Sequence, residues 1–474
     1  MSDDGPRTDT GTGTGAGAGA PTGTGTGTGT RAEDALASGA PLLDEVMPWS
    51  VAPLRPGRAW VLAPDAATLR ARWNALIRAG REAEREALFG PSRSRTLHSA
   101  VAPLPGMPAH EGRLVREHGR CPEPVPVLHG PFDQQWLIPD HRLIDAARPQ
   151  LWRVSDGHQT HLVETAHDHR HPGPLFTFTA LLPDGHTPAG RPGRIRPLHR
   201  RPGGREPNVL PGLLELLTGR LDTPVTAGDL LAWTAAAARP GPGGRVVPLT
   251  ADPELWRRGV ALGRRVIRLH TRGARCADAE NDAADRAADG AGSGEDGVDG
   301  ARPRLPGGHR PYVRAPLPAP TAPEAGERGY DDEERSLHIG DGRIAPVAPA
   351  AWEYEAGGVR VLEDWFAQRT AAPAPGGTLA AVRPRSWPQE WTSELLELIT
   401  VLTLLDELRP EQRDLARDLD KAGAAGAGSA GAGAVIGRAD LGRAGLLPVP
   451  AAARRPASVL DVPEEGPDGQ LALL

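Results

Sequence analysis

His129-Gly-Pro-Phe-Asp-Gln-Gln-Trp-Leu-Ile-Pro-Asp-His-Arg-Leu-Ile-Asp-Ala-Ala-Arg-Pro-Gln-Leu-Trp152 is the stretch that decides how this chain is read. Within it Gln135–Ile138 is a strand candidate, and two more follow at His161–Thr165 and Leu175–Leu182. The last runs into Pro183-Asp184-Gly185, a turn signal, so residues 127–200 form a β-rich region. Upstream, Arg58-Ala-Trp-Val-Leu62 reads as a strand, and Pro64-Asp65 leads into a helix with Leu69, Trp73, Leu76 and Ile77 on one face.

Downstream the period changes from strand to helix. Helices are expected at Pro211–Thr218, after the Thr226 cap with Asp229 three residues on, and after Asp252-Pro253, an N-cap followed by proline at the first helical position. Ser336 to Ile344 resembles two short strands around Gly-Asp-Gly. A helix through Leu362, Trp365 and Phe366 precedes one over Thr392–Leu408, with Leu395, Leu398, Ile399, Leu402 and Leu405 at helical spacing and Pro410 closing it. The fold class this predicts is α+β, with a β-rich core and a helical C-terminal layer.

Composition trims the folded mass. Of 474 residues only 39% are hydrophobic, while Gly (59) and Pro (50) are abundant, which points to long loops around a modest core anchored by 11 Trp. Residues 1–40 carry a Gly/Thr tail with no apolar face, expected to be disordered. Residues 41–120 are a strand-helix linker region and 121–277 the first part of the core. An acidic, then Pro-rich insert spans 278–330 and is also expected to be disordered; 331–420 is the second part of the core, and 421–474 a Gly/Ala-rich segment and tail.

The net charge of −6 gives no global attraction to phosphate, so nucleic-acid contact requires a local basic surface. Nearly all 54 basic residues are arginine, which suits phosphate and guanine edges and is also what a high-GC genome supplies. Cys121 and Cys276 stand far apart, which excludes a disulfide framework and a cysteine-based zinc site. With no cleavable signal and no run of about 18 apolar residues, a cytoplasmic protein without membrane contact is expected.

Catalytic motifs are missing from the text of the chain. It contains no phosphate loop of the G-x-x-x-x-G-K-[ST] kind and no [DNS]-P-P-[YFW] tetrapeptide such as amino-methyltransferases use on a flipped base. Gly426, Gly428 and Gly431 form a G-x-G-x-x-G string, but inside Gly-Ala repeat and without a preceding strand. His167, His169 and His171, near His158 and His161, have a spacing that a metal accepts; an exposed polar loop is the better reading, and no metal is expected.

Two basic features stand out. The helix after Asp252 carries Arg257, Arg258, Arg264, Arg265 and Arg268 opposite Leu255, Leu262, Val266 and Leu269, a pattern that fits a solvated outer face better than a phosphate-binding one. The segment Arg191–Arg205 packs Arg191, Arg194, Arg196, Arg200, Arg201 and Arg205 among Gly and Pro, and is expected to be exposed. It reads equally as a DNA-contacting loop and as an ordinary Arg-rich loop.

The segment from His129 to Trp152 resembles the start of the C-terminal specificity domain of type ISP, single-polypeptide restriction-modification enzymes, where the opening usually reads Tyr-Arg-Pro-Phe-Asp-x-Arg. Phe132, Asp133, Gln135, Trp136 and Arg142 lie in that motif region. Similar pieces follow in order: Pro207-Asn208 before Gly212-Leu-Leu, Val247-Pro-Leu-Thr-Ala-Asp-Pro-Glu-Leu-Trp256, Leu269-His-Thr-Arg-Gly-Ala-Arg275 and Leu337-His-Ile-Gly-Asp-Gly342. Pro346-Val347 through Trp352-Glu-Tyr354 and Glu394-Leu-Leu-Glu-Leu-Ile-Thr-Val-Leu-Thr403 complete the series, and Met47-Pro-Trp49 resembles the preceding linker. The departures are His129, Gly130 and Gln135 in place of the usual Tyr, Arg and Arg.

The resemblance implies recognition of a double-stranded DNA sequence by a β-rich target-recognition core. In such enzymes nuclease, helicase and methyltransferase domains precede this one. With none of their motifs here, the expectation is a specificity protein without catalysis of its own, partnered by a methyltransferase or helicase subunit through which alone S-adenosylmethionine enters. The alternatives are a DNA-orienting subunit of a split adenine-N6 methyltransferase and a degraded remnant.

Overall fold

Side-chain alternation along His161–Glu164 divides the hydrophobic core in two. This strand is the centre of a three-stranded antiparallel sheet, flanked by Phe176–Thr179 and Ile195–Pro197. Successive side chains of a strand point to opposite faces. Leu162 therefore enters the larger core with Phe176 and Phe178, and Val163 the smaller one with Trp49, Trp152 and Ile195. A computed structural model describes residues 39–109, 112–165, 173–187, 193–273, 310–317, 328–370, 378–384, 386–426 and 434–457. The Gly/Thr tail, most of the acidic insert and His167, His169 and His171 lie outside those residues.

The smaller core is built mainly by the N-terminal third, with Val163, Leu182, Ile195 and Leu379 added from further along the chain. Asp65 caps the helix Ala66–Arg78 by accepting from the Thr68 amide at 2.7 Å, and Leu69, Trp73 and Leu76 line its buried face as their spacing predicts. The strand expected over Arg58–Leu62 is instead a 3-10 turn, Ala59–Val61, followed by the two-residue strand Leu62–Ala63. Tightening the backbone here lets two neighbouring side chains reach buried acceptors: the Arg58 guanidinium donates to the Leu143 carbonyl and the Trp60 indole to the Phe89 carbonyl. Leu62–Ala63 joins a four-stranded sheet in the order 62–63, 133–137, 125–129, 182–183.

The larger core is the helical layer. Thr226 and Asp229 form the capping box that starts Ala227–Ala237, and Asp252 accepts from the Glu254 and Leu255 amides to start the basic helix Pro253–His270. The two helices press together because the basic helix has glycine at the crossing. A Cβ at Gly263 would lie 1.7 Å from the Ala232 carbonyl oxygen.

The C-terminal helix is longer than the sequence suggests. It runs Gln389–Gly426, straight through Pro410, so that proline does not close it. Proline forfeits one backbone hydrogen bond inside a helix. Beyond it, buried Leu415 and Leu419 and ion pairs from Glu411, Asp418 and Asp420 to Arg265, Arg258 and Arg239 hold the continuation on its neighbours. Gly426, first of the glycine string, is thus the end of this helix, while Gly428 and Gly431 lie outside the described residues.

The hairpin Ser336–Ile339 with Gly342–Ala345 forms as expected and is the middle of a four-stranded sheet. Its outer strands are Arg328–Asp331 and Tyr312–Ala315. The latter falls inside the stretch read as a disordered insert, and is ordered because its backbone pairs with Gly342–Ala345. The architecture is α+β. No helix among the described residues is long and apolar enough to cross a membrane.

Candidate nucleic-acid interface

The arginine-rich segment is not a loose loop. Arg191 is outside the described residues, and the remainder folds into strands Ile195–Pro197, His199–Arg201 and Arg205–Pro207. Arg196, expected on the surface, is 2% exposed. Its strand faces Glu164, to which Nε donates at 3.0 Å; Nη1 donates to the Met47 carbonyl at 2.5 Å, and Asp44 pairs with the same guanidinium. That residue is a structural cross-brace between strands and linker.

Its neighbours remain nearer solvent. Arg194 is exposed and donates to Ser50 Oγ and the Ser50 carbonyl. Arg200 donates to Glu206 Oε1 at 2.5 Å and to the Ala452 and Arg455 carbonyls, and Arg201 to Glu206 Oε2 at 2.6 Å. Arg201 pairs across the strands with exposed Arg205, through a turn at Pro202-Gly203-Gly204 whose glycines have φ of +72° and +67°. Like charges placed opposite each other in a hairpin repel, and Glu206 answers Arg201 from within the hairpin.

The family-like motif occupies a second hairpin, Val125–His129 with Asp133–Leu137, closed by Gly130, Pro131 and Phe132. Gly130 has φ +65°, a conformation glycine takes freely. Phe132 is buried against the His270 and Tyr354 rings, with centroids 5.0 and 5.9 Å away. Asp133 accepts from Arg369 Nη1 at 2.8 Å and from Gln135 Nε2 at 2.7 Å. Arg369 continues to Glu394 at 2.9 Å and stacks on Trp365, its Cζ 3.7 Å from the ring centroid. Arg272 donates to the Phe132 carbonyl at 3.0 Å.

These groups tie the hairpin to helix Val361–Thr370, to the long helix and to the end of the basic helix. Arg369 has no local signature, because its pair with Asp133 spans 236 residues of sequence; Arg272 and Glu394 lie in the family-like segments Leu269–Arg275 and Glu394–Thr403, whose sequence does not show this contact. Burial raises the Asp133 carboxyl above its ordinary range despite Arg369. Arg142, also buried, holds Asp140 at 2.7 Å and Glu117 at 2.9 Å and so fixes the loop after the motif.

His129 extends the ionic cluster. Its Nδ1 lies 2.5 Å from Asp184 Oδ2, and His186 stacks on it at 4.5 Å. Burial opposes a charged imidazole, but Asp184, with Asp133 and Asp364 nearby, outweighs it and pushes His129 up to about 9. His186 goes down, through burial and then the His129 charge.

Trp136 and Gln135 also line a cleft of about 960 Å³ with Arg272, Arg383, Trp391 and Glu394. Its charged lining is Asp65, Glu390, Glu394 and Glu397 against Arg272 and Arg383, which disfavours a polyanion. The arginines of the basic helix do not form a free stripe. Arg258 and Arg265 reach the acidic side chains of the long helix, and Arg264 reaches Asp229. Asp331, Glu334 and His338 place ligand atoms within 4.8 Å of one another, but Glu334 is already bound to Arg343 at 2.7 Å.

The model of the type ISP C-terminal specificity domain matches residues 45–241 and 243–398. The chain belongs to that family. No curated protein matches it. Similar solved structures include a DrdV–DNA complex, at TM-score 0.47 and 14% identity over 78% of this chain and 35% of that one. The ATP-dependent type ISP restriction-modification enzyme LlaBIII bound to DNA follows, at 0.49 and 12% over 79% and 23%. A nuclease-deletion mutant of the type ISP enzyme LlaGI with a DNA substrate mimic gives 0.42 and 12% over 79% and 28%. This chain thus spans about a quarter to a third of the length of those proteins.

In this type ISP specificity domain the motif works as a clasp. Asp133 is buried with Arg369, and Gln135, where the family usually has arginine, donates to the same carboxylate.

Proposed function

We propose that this type ISP specificity domain reads a duplex DNA sequence for a methyltransferase or helicase partner. The observation that carries the reading is the family match, which extends over both cores from residue 45 to residue 398. The geometry supports it with exposed Arg194 and Arg205, guanidiniums suited to phosphate, and with Arg201 opposite Arg205 at the hairpin tip, where it shares its charge with Glu206. Phosphate contacts position a protein on DNA and base edges supply sequence. Arg196 is withdrawn from that role by its burial. In this reading S-adenosylmethionine is bound by the partner, and the domain orients the target for it.

The test is duplex binding across a salt series, with and without a candidate methyltransferase subunit. A recognition domain gives affinity falling linearly with log salt, and a preference for one sequence over competitor DNA. No binding at low salt, alone or with the partner, overturns the proposal.

A further inference from the structure

The strand Tyr312–Ala315 lies at the edge of its sheet, next to Gly342–Ala345, and carries an unusual surface. Tyr312 and Val313 are the exposed large hydrophobic residues among those described, at 45% and 37%. Arg314 lies over the Tyr312 ring, its Cζ 4.1 Å from the centroid. Arg310, Tyr312, Arg314 and Arg343 line one concavity of about 440 Å³, with Glu334. Glu334 is neutralised there by Arg343 at 2.7 Å. Neither Arg310 nor Arg314 forms an ion pair among the described residues. The concavity is therefore net positive, with an aromatic floor.

We infer that this face is a DNA-backbone contact, in which Arg310 and Arg314 hold phosphates and the Tyr312 ring and hydroxyl pack on the adjoining sugar-phosphate. The inference rests on the reading of the domain as DNA-binding and names a surface for it that the arginine-rich segment does not include. Three features favour this occupant. Guanidiniums flanking an exposed tyrosine match the side chains that contact phosphate oxygens. An edge strand with an exposed ring and charged neighbours blocks pairing with another strand, so its exposure fits a ligand rather than a second sheet. Of the acidic residues around the turn that joins the sheet's two far strands, Asp331, Asp332 and Glu333 do not line the concavity. Their repulsion keeps a polyanion on the basic edge and so orients the duplex.

The experiment compares the full chain with Arg310→Ala/Arg314→Ala and with Tyr312→Ala and Tyr312→Phe in duplex binding across a salt series. Circular dichroism and thermal melting verify that each variant is folded. Each phosphate contact contributes about 0.9 to the slope of log affinity against log salt. The double variant should bind roughly tenfold more weakly at low salt with a slope lower by about 1.8. Tyr312→Ala should lose more affinity than Tyr312→Phe, because the ring is retained in the latter. Wild-type binding that the double variant reproduces in affinity and slope overturns this surface while leaving the DNA-recognition reading intact. A variant that keeps the slope but loses capture of a methyltransferase partner assigns the face to protein contact and also overturns the inference. Wild-type protein that binds no duplex overturns both.

Discussion

Charge is handled in opposite ways at the ionic cluster around Asp133 and Arg369 and at the edge strand Tyr312–Ala315. Arg369 is sealed between Asp133, Glu394 and the Trp365 ring, with a side chain fully excluded from solvent. Arg314 rests on an exposed tyrosine with its charge available to solvent. The same residue type is a clasp in one place and a contact in the other. The lesson is that arginine density along a sequence does not measure arginine availability. The segment richest in arginine conceals Arg196, whereas a sparser edge strand presents Arg314, with Arg310 just before it.

The largest effect expected from the inward-facing side is on folding. Arg369→Ala leaves Asp133 buried without its cation, and breaking a buried pair costs about 3–5 kcal/mol. Urea unfolding reads this directly, and an unchanged midpoint would show that the cluster does not hold the hairpin to the helical layer. Arg196→Ala should follow, at about 3 kcal/mol, with the DNA salt slope of the folded fraction unaltered. Arg201→Ala is its counterpart: stability within about 1 kcal/mol, and a salt slope reduced by about one contact. If the two variants exchange these outcomes, the division into inward and outward arginines is wrong.

The cluster also has a pH signature. His129 has a folded value of about 9 against 6.5 for an unpaired imidazole, so the charged form is favoured by folding. Its stabilisation is complete below about pH 6.5 and declines as pH rises through about 9, on the order of 3 kcal/mol in all. His129→Gln should flatten the stability profile in that window; an unchanged profile would separate His129 from the Asp184 carboxylate. The smallest effect belongs to the helix surface. Arg265 and Glu411 are half exposed, so removing their pair should cost no more than about 1 kcal/mol, and a loss several times larger would mean that the long helix depends on its ion pairs.

Much of the fold was legible because its signals are local. Asp65, Thr226 and Asp252 each announce a helix start through a side chain that reaches an amide a few residues on. The apolar spacing of Leu395, Leu398, Ile399 and Leu402 requires a buried helical face wherever the partner lies. Pro410 misled because a helix end is decided by what packs beyond it, and Leu415 and Leu419 pack on a neighbouring core. The strand at Tyr312–Ala315 was hidden in a biased stretch, since its pairing partner lies about thirty residues away.

The candidate site divides in the same manner. The ordered series of family-like segments identifies a type ISP specificity domain from the sequence by itself, because those residues recur in order along the chain. Which arginines face inward was decided only by tertiary structure. A guanidinium becomes a brace where the fold sets a buried carboxylate beside it, and here Glu164 is 32 residues from Arg196 and Asp133 is 236 from Arg369.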